Sequence, residues 1–83
     1  MAKESRILKA LYALATGHGN PLEARINPVE ISKQTPGLSL GEVEQEIRDL
    51  DLKKWVVMER SDTLDMYCRF TPVGLQEAEK YAS

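Results

Sequence analysis

Residues 39–54, SLGEVEQEIRDLDLKK, decide how the chain is read. Ser39 and Glu42 sit at the spacing of a capping box. There the hydroxyl and the carboxylate satisfy backbone N–H groups that a helix start leaves without partners. Leu40, Val43, Ile47 and Leu50 then recur at intervals of three and four, which draws one apolar stripe along a helix. The rest of this helix is acidic: Glu42, Glu44, Glu46, Asp49 and Asp51 against a single Arg48 before the closing Lys53-Lys54 pair. At about 100° per residue, the line opposite the stripe is Gly41, Gln45, Arg48 and Leu52, and Glu42 and Asp49 lie about 40–60° to its side. Glu44 precedes Arg48 by four residues and Asp49 precedes Lys53 by four. That is the favourable order for ion pairs within the helix.

Upstream, Asn27-Pro28-Val29-Glu30 is a second helix start, with Asn as N-cap, Pro first and Glu third. It opens a short helix from Val29 to about Gln34, with Val29 and Ile31 as core candidates. Pro36-Gly37 ends it in a tight turn, and Leu38 is expected to anchor that turn. Lys3 to Ala15 reads as a first helix with a broad apolar face of Ile7, Leu8, Leu11, Tyr12, Leu14 and Ala15. Gly17 is a candidate left-handed C′ residue for it. A brief strand ending at Ile26 is expected to pair with a later hairpin. That hairpin is read from Trp55–Arg60 and the alternating Met66–Phe70, joined through Ser61-Asp62-Thr63. Thr71-Pro72 starts a last helix, in which Leu75, Ala78 and Tyr81 recur every three residues and Gly74 costs a little helix propensity.

Eighty-three residues suit one α+β domain, 1–83, with a small core. With 42% apolar and 29% charged residues the composition is that of a folded domain and not of a disordered segment. No apolar run approaches the roughly 18 residues of a membrane span, and the charged, amphipathic N-terminus is not that of a secretory leader. Cys68 is the lone cysteine, which excludes an internal disulfide and suits a reducing cytoplasm. The net charge of −2 argues against a protein that coats nucleic acid indiscriminately. Yet residues 1–35 carry five basic side chains against three acidic, so the first half retains a cationic surplus.

Two junctions carry a resemblance. Leu50-Asp51-Leu52-Lys53-Lys54-Trp55-Val56 is similar to a Leu-x-x-x-Gly-Leu-Val step from helix into strand, with Lys54 where Gly is common. Phe70-Thr71-Pro72-Val73-Gly74 is similar to an aliphatic-Thr-x-x-Gly step from strand into the last helix. In this order, and over essentially the whole chain, they resemble the winged helix-turn-helix domains of bacterial and archaeal regulators such as the MarR and PadR groups. The resemblance implies a three-helix core, a hairpin wing and a short final helix, with helix 39–54 as a recognition helix that faces double-stranded DNA. It also implies that the final helix can supply a homodimer contact through Leu75, Ala78 and Tyr81; the alternative is that these residues simply close the core of the single chain.

Nothing in the chain favours catalysis or a cofactor. His18 lies between glycines in a loop with no strand-to-helix context. Cys68 falls on the inner side of a strand, and one His and one Cys fifty residues apart do not make a metal site. Nucleic-acid binding needs cations for phosphates and side chains that reach base edges. Gln45 and Arg48, one turn apart, are the candidate base contacts. Arg6, Lys9, Lys33 and Arg60 are the candidate phosphate contacts, with Lys3 and Arg69 further cations on the first helix and the hairpin. The alternative is a protein partner, met by the acidic surface at Glu42 and Asp49 with Leu52 projecting from it. Leu64, beside the hairpin turn, is a further apolar residue with no evident core role.

Overall fold

Two helices begin with the same local device. Asn27 accepts from the N–H of Val29 at 2.8 Å while Glu30 accepts from the N–H of Asn27, and Pro28 occupies the first turn of α2 (Pro28–Gln34). Ser39 accepts from the N–H of Glu42 at 3.1 Å while the Glu42 carboxylate accepts from that of Ser39, opening α3 (Leu40–Leu52). Between them Gly37 takes φ +93°, a conformation only glycine adopts without strain, and Leu38 packs half-buried against the core. The computed structural model describes residues 3–62 and 65–82. Thr63 and Leu64, placed by the sequence in and beside the hairpin turn, lie outside the described residues.

The described elements are α1 (Lys3–Gly17), α2, α3, β1 (Val56–Arg60), β2 (Met66–Phe70) and α4 (Pro72–Ala82). The two strands pair antiparallel in a register running from Val56↔Phe70 to Arg60↔Met66. Ile26 adds one antiparallel bridge on the other edge of β2, exchanging hydrogen bonds of 2.8 and 2.9 Å with Cys68, as expected of the short segment before α2. The core gathers Ile7, Leu8 and Leu11 of α1 with Ile31 of α2 and Val43, Ile47 and Leu50 of α3. Val56 and Phe70 close it from the hairpin. Each such fully buried side chain contributes about 1.5–3 kcal/mol of hydrophobic stabilisation.

Four local expectations need correction. Leu40, expected in the apolar stripe of α3, is 40% exposed, and the buried stripe is Val43, Ile47 and Leu50. Val29 is 43% exposed, and the residue buried at the start of α2 is Pro28; in a helix of seven residues the stripe is set by Ile31 alone. Gly17 is helical, and the left-handed residue beyond α1 is Gly19 at φ +100°. Trp55 precedes the strand, half-buried against the core.

The end of α3 explains the two junction motifs. Trp55 N–H donates to Leu50 C=O and Lys54 N–H to Asp51 C=O, both at 3.0 Å, which is the Schellman pattern. It demands a left-handed residue, and Lys54 supplies it at φ +66°. The turn therefore forms without the usual glycine, at the cost of a side chain crowding its own backbone. Replacing Lys54 with Gly is expected to stabilise the domain by about 0.5–1 kcal/mol. The relief of strain of about 1–2 kcal/mol exceeds the extra unfolded-state freedom of glycine. A thermal melt should show it as a rise of about 2–8 °C, and a lower melting point would refute the strain account.

At the second junction Thr71 holds three elements together. Its hydroxyl donates to Lys54 C=O at 2.6 Å and accepts from Gly74 N–H at 3.1 Å, while its own N–H donates to Trp55 C=O at 3.0 Å. A Cβ at Gly74 would lie 1.7 Å from the Trp55 carbonyl oxygen, so α4 starts against backbone that admits no side chain there. The rest of α4 lies along α1. Ala78 is wholly buried and Leu75 packs on the core, so these two close the chain's own interior, and of the three candidate dimer residues Tyr81 alone is exposed.

Candidate nucleic-acid interface

Apart from its buried stripe, α3 offers three surfaces. Gly41, Gln45, Arg48 and Leu52 are all exposed along one line, as the sequence spacing implies, with Leu52 at 78%. Glu42, Glu46, Asp49 and Lys53 form the flank towards the start of α1. Leu40, Glu44 and Asp51 form the opposite flank, where Leu40 and Glu44 line one groove with Asp65 and Met66.

The α1 flank is where Glu42 and Lys53 find their ion-pair partners. Lys3 pairs with Glu42 at 3.0 Å, and Glu4 pairs with Lys53, so adjacent residues of α1 reach both ends of α3. The Lys53 ammonium also lies 4.9 Å from the centre of the Trp55 ring. The hydrogen bond from Lys3, helped by that from the Ser39 backbone, holds the Glu42 carboxyl below its usual pKa. The hydrogen bond to Glu4 raises that of Lys53, to which Asp49 and Glu46 add their charge.

A lowered carboxyl pKa contributes stability that is present above the unfolded value of 4.5 and is lost as pH falls through the folded one. Glu42→Gln is therefore expected to flatten the acid limb of a pH–stability profile below about pH 4.5. An unaltered acid limb would show that Glu42 takes no part in it.

The intrahelical pairs suggested by sequence do not form. Lys53 is drawn to Glu4 instead of Asp49, and Asp49 accepts from the Gln45 side-chain amide at 3.3 Å. Among the described residues, Arg48 has no ion-pair or hydrogen-bond partner from its side chain, Glu44 included. Arg48 is thus a free, exposed cation in the middle of the outward line.

The other candidates separate. Arg6 is half-buried and donates to the Pro36 carbonyl at 2.6 Å, tying α1 to the α2–α3 turn. Arg6 and Lys9 line one groove between α1 and α2, with Ala10, Ala13, Gln34 and Thr35. Lys33 and Arg60 are exposed but do not line it. Arg69 is held by Glu59 at 2.6 Å, and Arg25 lies 4.0 Å from the same carboxylate.

Arg25 and Lys54 are exposed cations that sequence reasoning did not place at the interface. Arg25 sits beside Ile26 in a segment too short to show a pattern. Lys54 is an exposed residue of the left-handed turn, and only its replacement of a customary glycine marked it. His18 is an exposed loop residue. Cys68 is buried, its Sγ donating to Ile26 C=O at 3.4 Å, and burial pushes its thiol pKa up to about 12, so it is a core residue and not a reactive one. No group of three metal-ligating side chains occurs among the described residues, and among them no helix is long and apolar enough to cross a membrane.

Fold and surface together define a small α+β domain of four helices and one antiparallel hairpin, displaying a polar helix with a free arginine at its centre. No protein-family model, curated protein or solved structure matches the chain.

Proposed function

We propose that this chain is a non-catalytic winged-helix module of the transcription-regulator type, acting in the cytoplasm on double-stranded DNA without a cofactor. In this reading α2, the Pro36-Gly37 turn and α3 form the helix-turn-helix, α3 enters the major groove, and the β1–β2 hairpin is the wing. Arg48 and Gln45 meet base edges, for which guanidinium and carboxamide are the matching groups on guanine and adenine. Lys9, Lys33 and Arg60 meet phosphates, while Arg6 serves mainly to fix the turn.

The observation that carries the reading is the free Arg48 on the exposed line of Gly41, Gln45 and Leu52, with Glu42 on one flank paired to Lys3 and Asp49 accepting from Gln45. Of the five carboxylates of α3, Glu42 is the one that a cation pairs with among the described residues, and that cation is Lys3 of α1.

A salt titration tests this. With about three phosphates neutralised, affinity for a random-sequence duplex should fall about 40-fold between 50 and 200 mM salt. Absence of binding even at about 50 mM, where phosphate-driven affinity is strongest, would end the DNA reading. A second reading, a protein-binding winged helix using Glu42, Asp49 and Leu52, is favoured by one observation, the 78% exposure of Leu52 on the same line. Such a partner would lose its grip on Leu52→Asp.

A further inference from the structure

Asp49 follows Gln45 by one helical turn, and its carboxylate accepts from the Gln45 Nε2 at 3.3 Å. Lys53, the cation that the spacing of α3 offers Asp49, is taken by Glu4 of α1, so the carboxylate is left to the carboxamide. A carboxylate has no hydrogen to give. It therefore fixes which way the amide is turned, with nitrogen towards Asp49 and oxygen away from it. Among the described residues Gln45 makes no other side-chain hydrogen bond. Its second N–H and its Oε1 are free, on an exposed side chain one turn before Arg48.

Base edges in the major groove differ in what they offer such a group. Adenine presents an acceptor, N7, beside a donor, its N6 amino group, and the free N–H and Oε1 of a glutamine answer both. Guanine presents two acceptors, N7 and O6. A carboxamide free to rotate can turn its nitrogen to guanine and give it both hydrogens. One whose other hydrogen is held by a carboxylate cannot. Holding the amide before DNA arrives also lowers the cost of ordering it on binding.

We infer that Asp49 is a positioning residue for base recognition: through its hydrogen bond it sets Gln45 to read adenine in preference to guanine. This rests on the DNA reading above and assigns a part in it to an acidic residue of α3. Asp49 touches no base itself. It raises the specificity of the helix while its charge weakens the general attraction to phosphates.

Site selection from a random duplex pool by the parent protein and by Gln45→Ala locates the base pair that Gln45 reads. At that pair the parent should prefer adenine to guanine, and Asp49→Ala should reduce the ratio of affinities about 2- to 10-fold, the worth of one hydrogen bond. Affinity for random-sequence duplex should not fall, because a carboxylate near phosphates is removed. Asp49→Asn removes the charge but keeps an acceptor oxygen, and should retain more of the ratio than Asp49→Ala. On a Gln45→Ala background, Asp49→Ala should leave base preferences unchanged. Thermal melts report that each variant is folded; a role confined to helix stability would lower the melting point without moving the ratio. An adenine-to-guanine ratio unaltered by Asp49→Ala, equal losses in the Ala and Asn variants, or a Gln45→Ala protein that selects the parent's site would overturn the inference and leave the DNA reading standing. A parent protein that binds no duplex at about 50 mM salt would overturn that reading and the inference with it.

Discussion

Gly74→Ala is expected to destabilise the domain by about 3 kcal/mol or more, out of a total of about 4–12 kcal/mol for a chain of this size. Helix propensity alone predicts the opposite sign, because alanine is better than glycine inside a helix by about 1 kcal/mol. The added methyl would stand 1.7 Å from the Trp55 carbonyl oxygen, 2.5 Å from its carbon and 2.8 Å from its Cα. None of these atoms can swing aside as a side-chain tip can. The Trp55 carbonyl also accepts the N–H of Thr71, so moving it breaks the continuation of the strand pairing. Moving α4 instead pulls Ala78 and Leu75 out of the core. Gly41→Ala is the matched control: it too lies within a helix, but its added Cβ meets only the Ser39 hydroxyl, at 3.9 Å. It should stabilise by about 0.5–1 kcal/mol. Urea unfolding of both variants separates the two effects. A Gly74→Ala protein as stable as the parent would mean that α4 does not start against Trp55.

The contrast between these glycines shows what a sequence can and cannot display. Gly74 read by itself is a weak helix residue; its necessity comes from a carbonyl nineteen positions earlier. The caps were legible because their partners are local: Asn27 with Glu30, Ser39 with Glu42, and Thr71 with the turn it opens. The outward line of α3 was legible because 3.6-residue geometry fixes which side chains oppose the core. The charges were not. Lys3–Glu42, Glu4–Lys53 and Arg6–Pro36 join residues thirty or more positions apart, and nothing in the spacing of α3 announces that α1 crosses it. Intrahelical pairing is therefore the natural expectation for Asp49 and Lys53, and the tertiary partner displaces it. Val29 failed for a different reason: seven residues are too few for a stripe to be located from one isoleucine.

The same relocation of charge bears on Arg48→Ala, which is expected to reduce affinity for a preferred DNA site about 5- to 150-fold, the worth of one good bidentate base contact. Affinity for random duplex should fall far less, since only one of several cations is lost. Lys33→Ala should behave in the converse way, weakening all sequences alike and lowering the salt slope by about one. Stability should change by no more than about 0.5 kcal/mol in either variant, because both side chains are exposed and neither has an ion-pair partner among the described residues. Selecting a site from a random duplex pool and comparing the two variants on selected and unselected DNA gives the ratio directly. Were Arg48→Ala to weaken both DNAs equally, Arg48 would be another phosphate contact and α3 would not be reading bases through it. If neither variant altered DNA affinity while Leu52→Asp abolished a protein interaction, the exposed line of α3 would be a protein surface. The decisive quantity is thus the ratio of losses on the two DNAs and not the size of either, because a merely electrostatic role for Arg48 cannot produce a loss that depends on sequence.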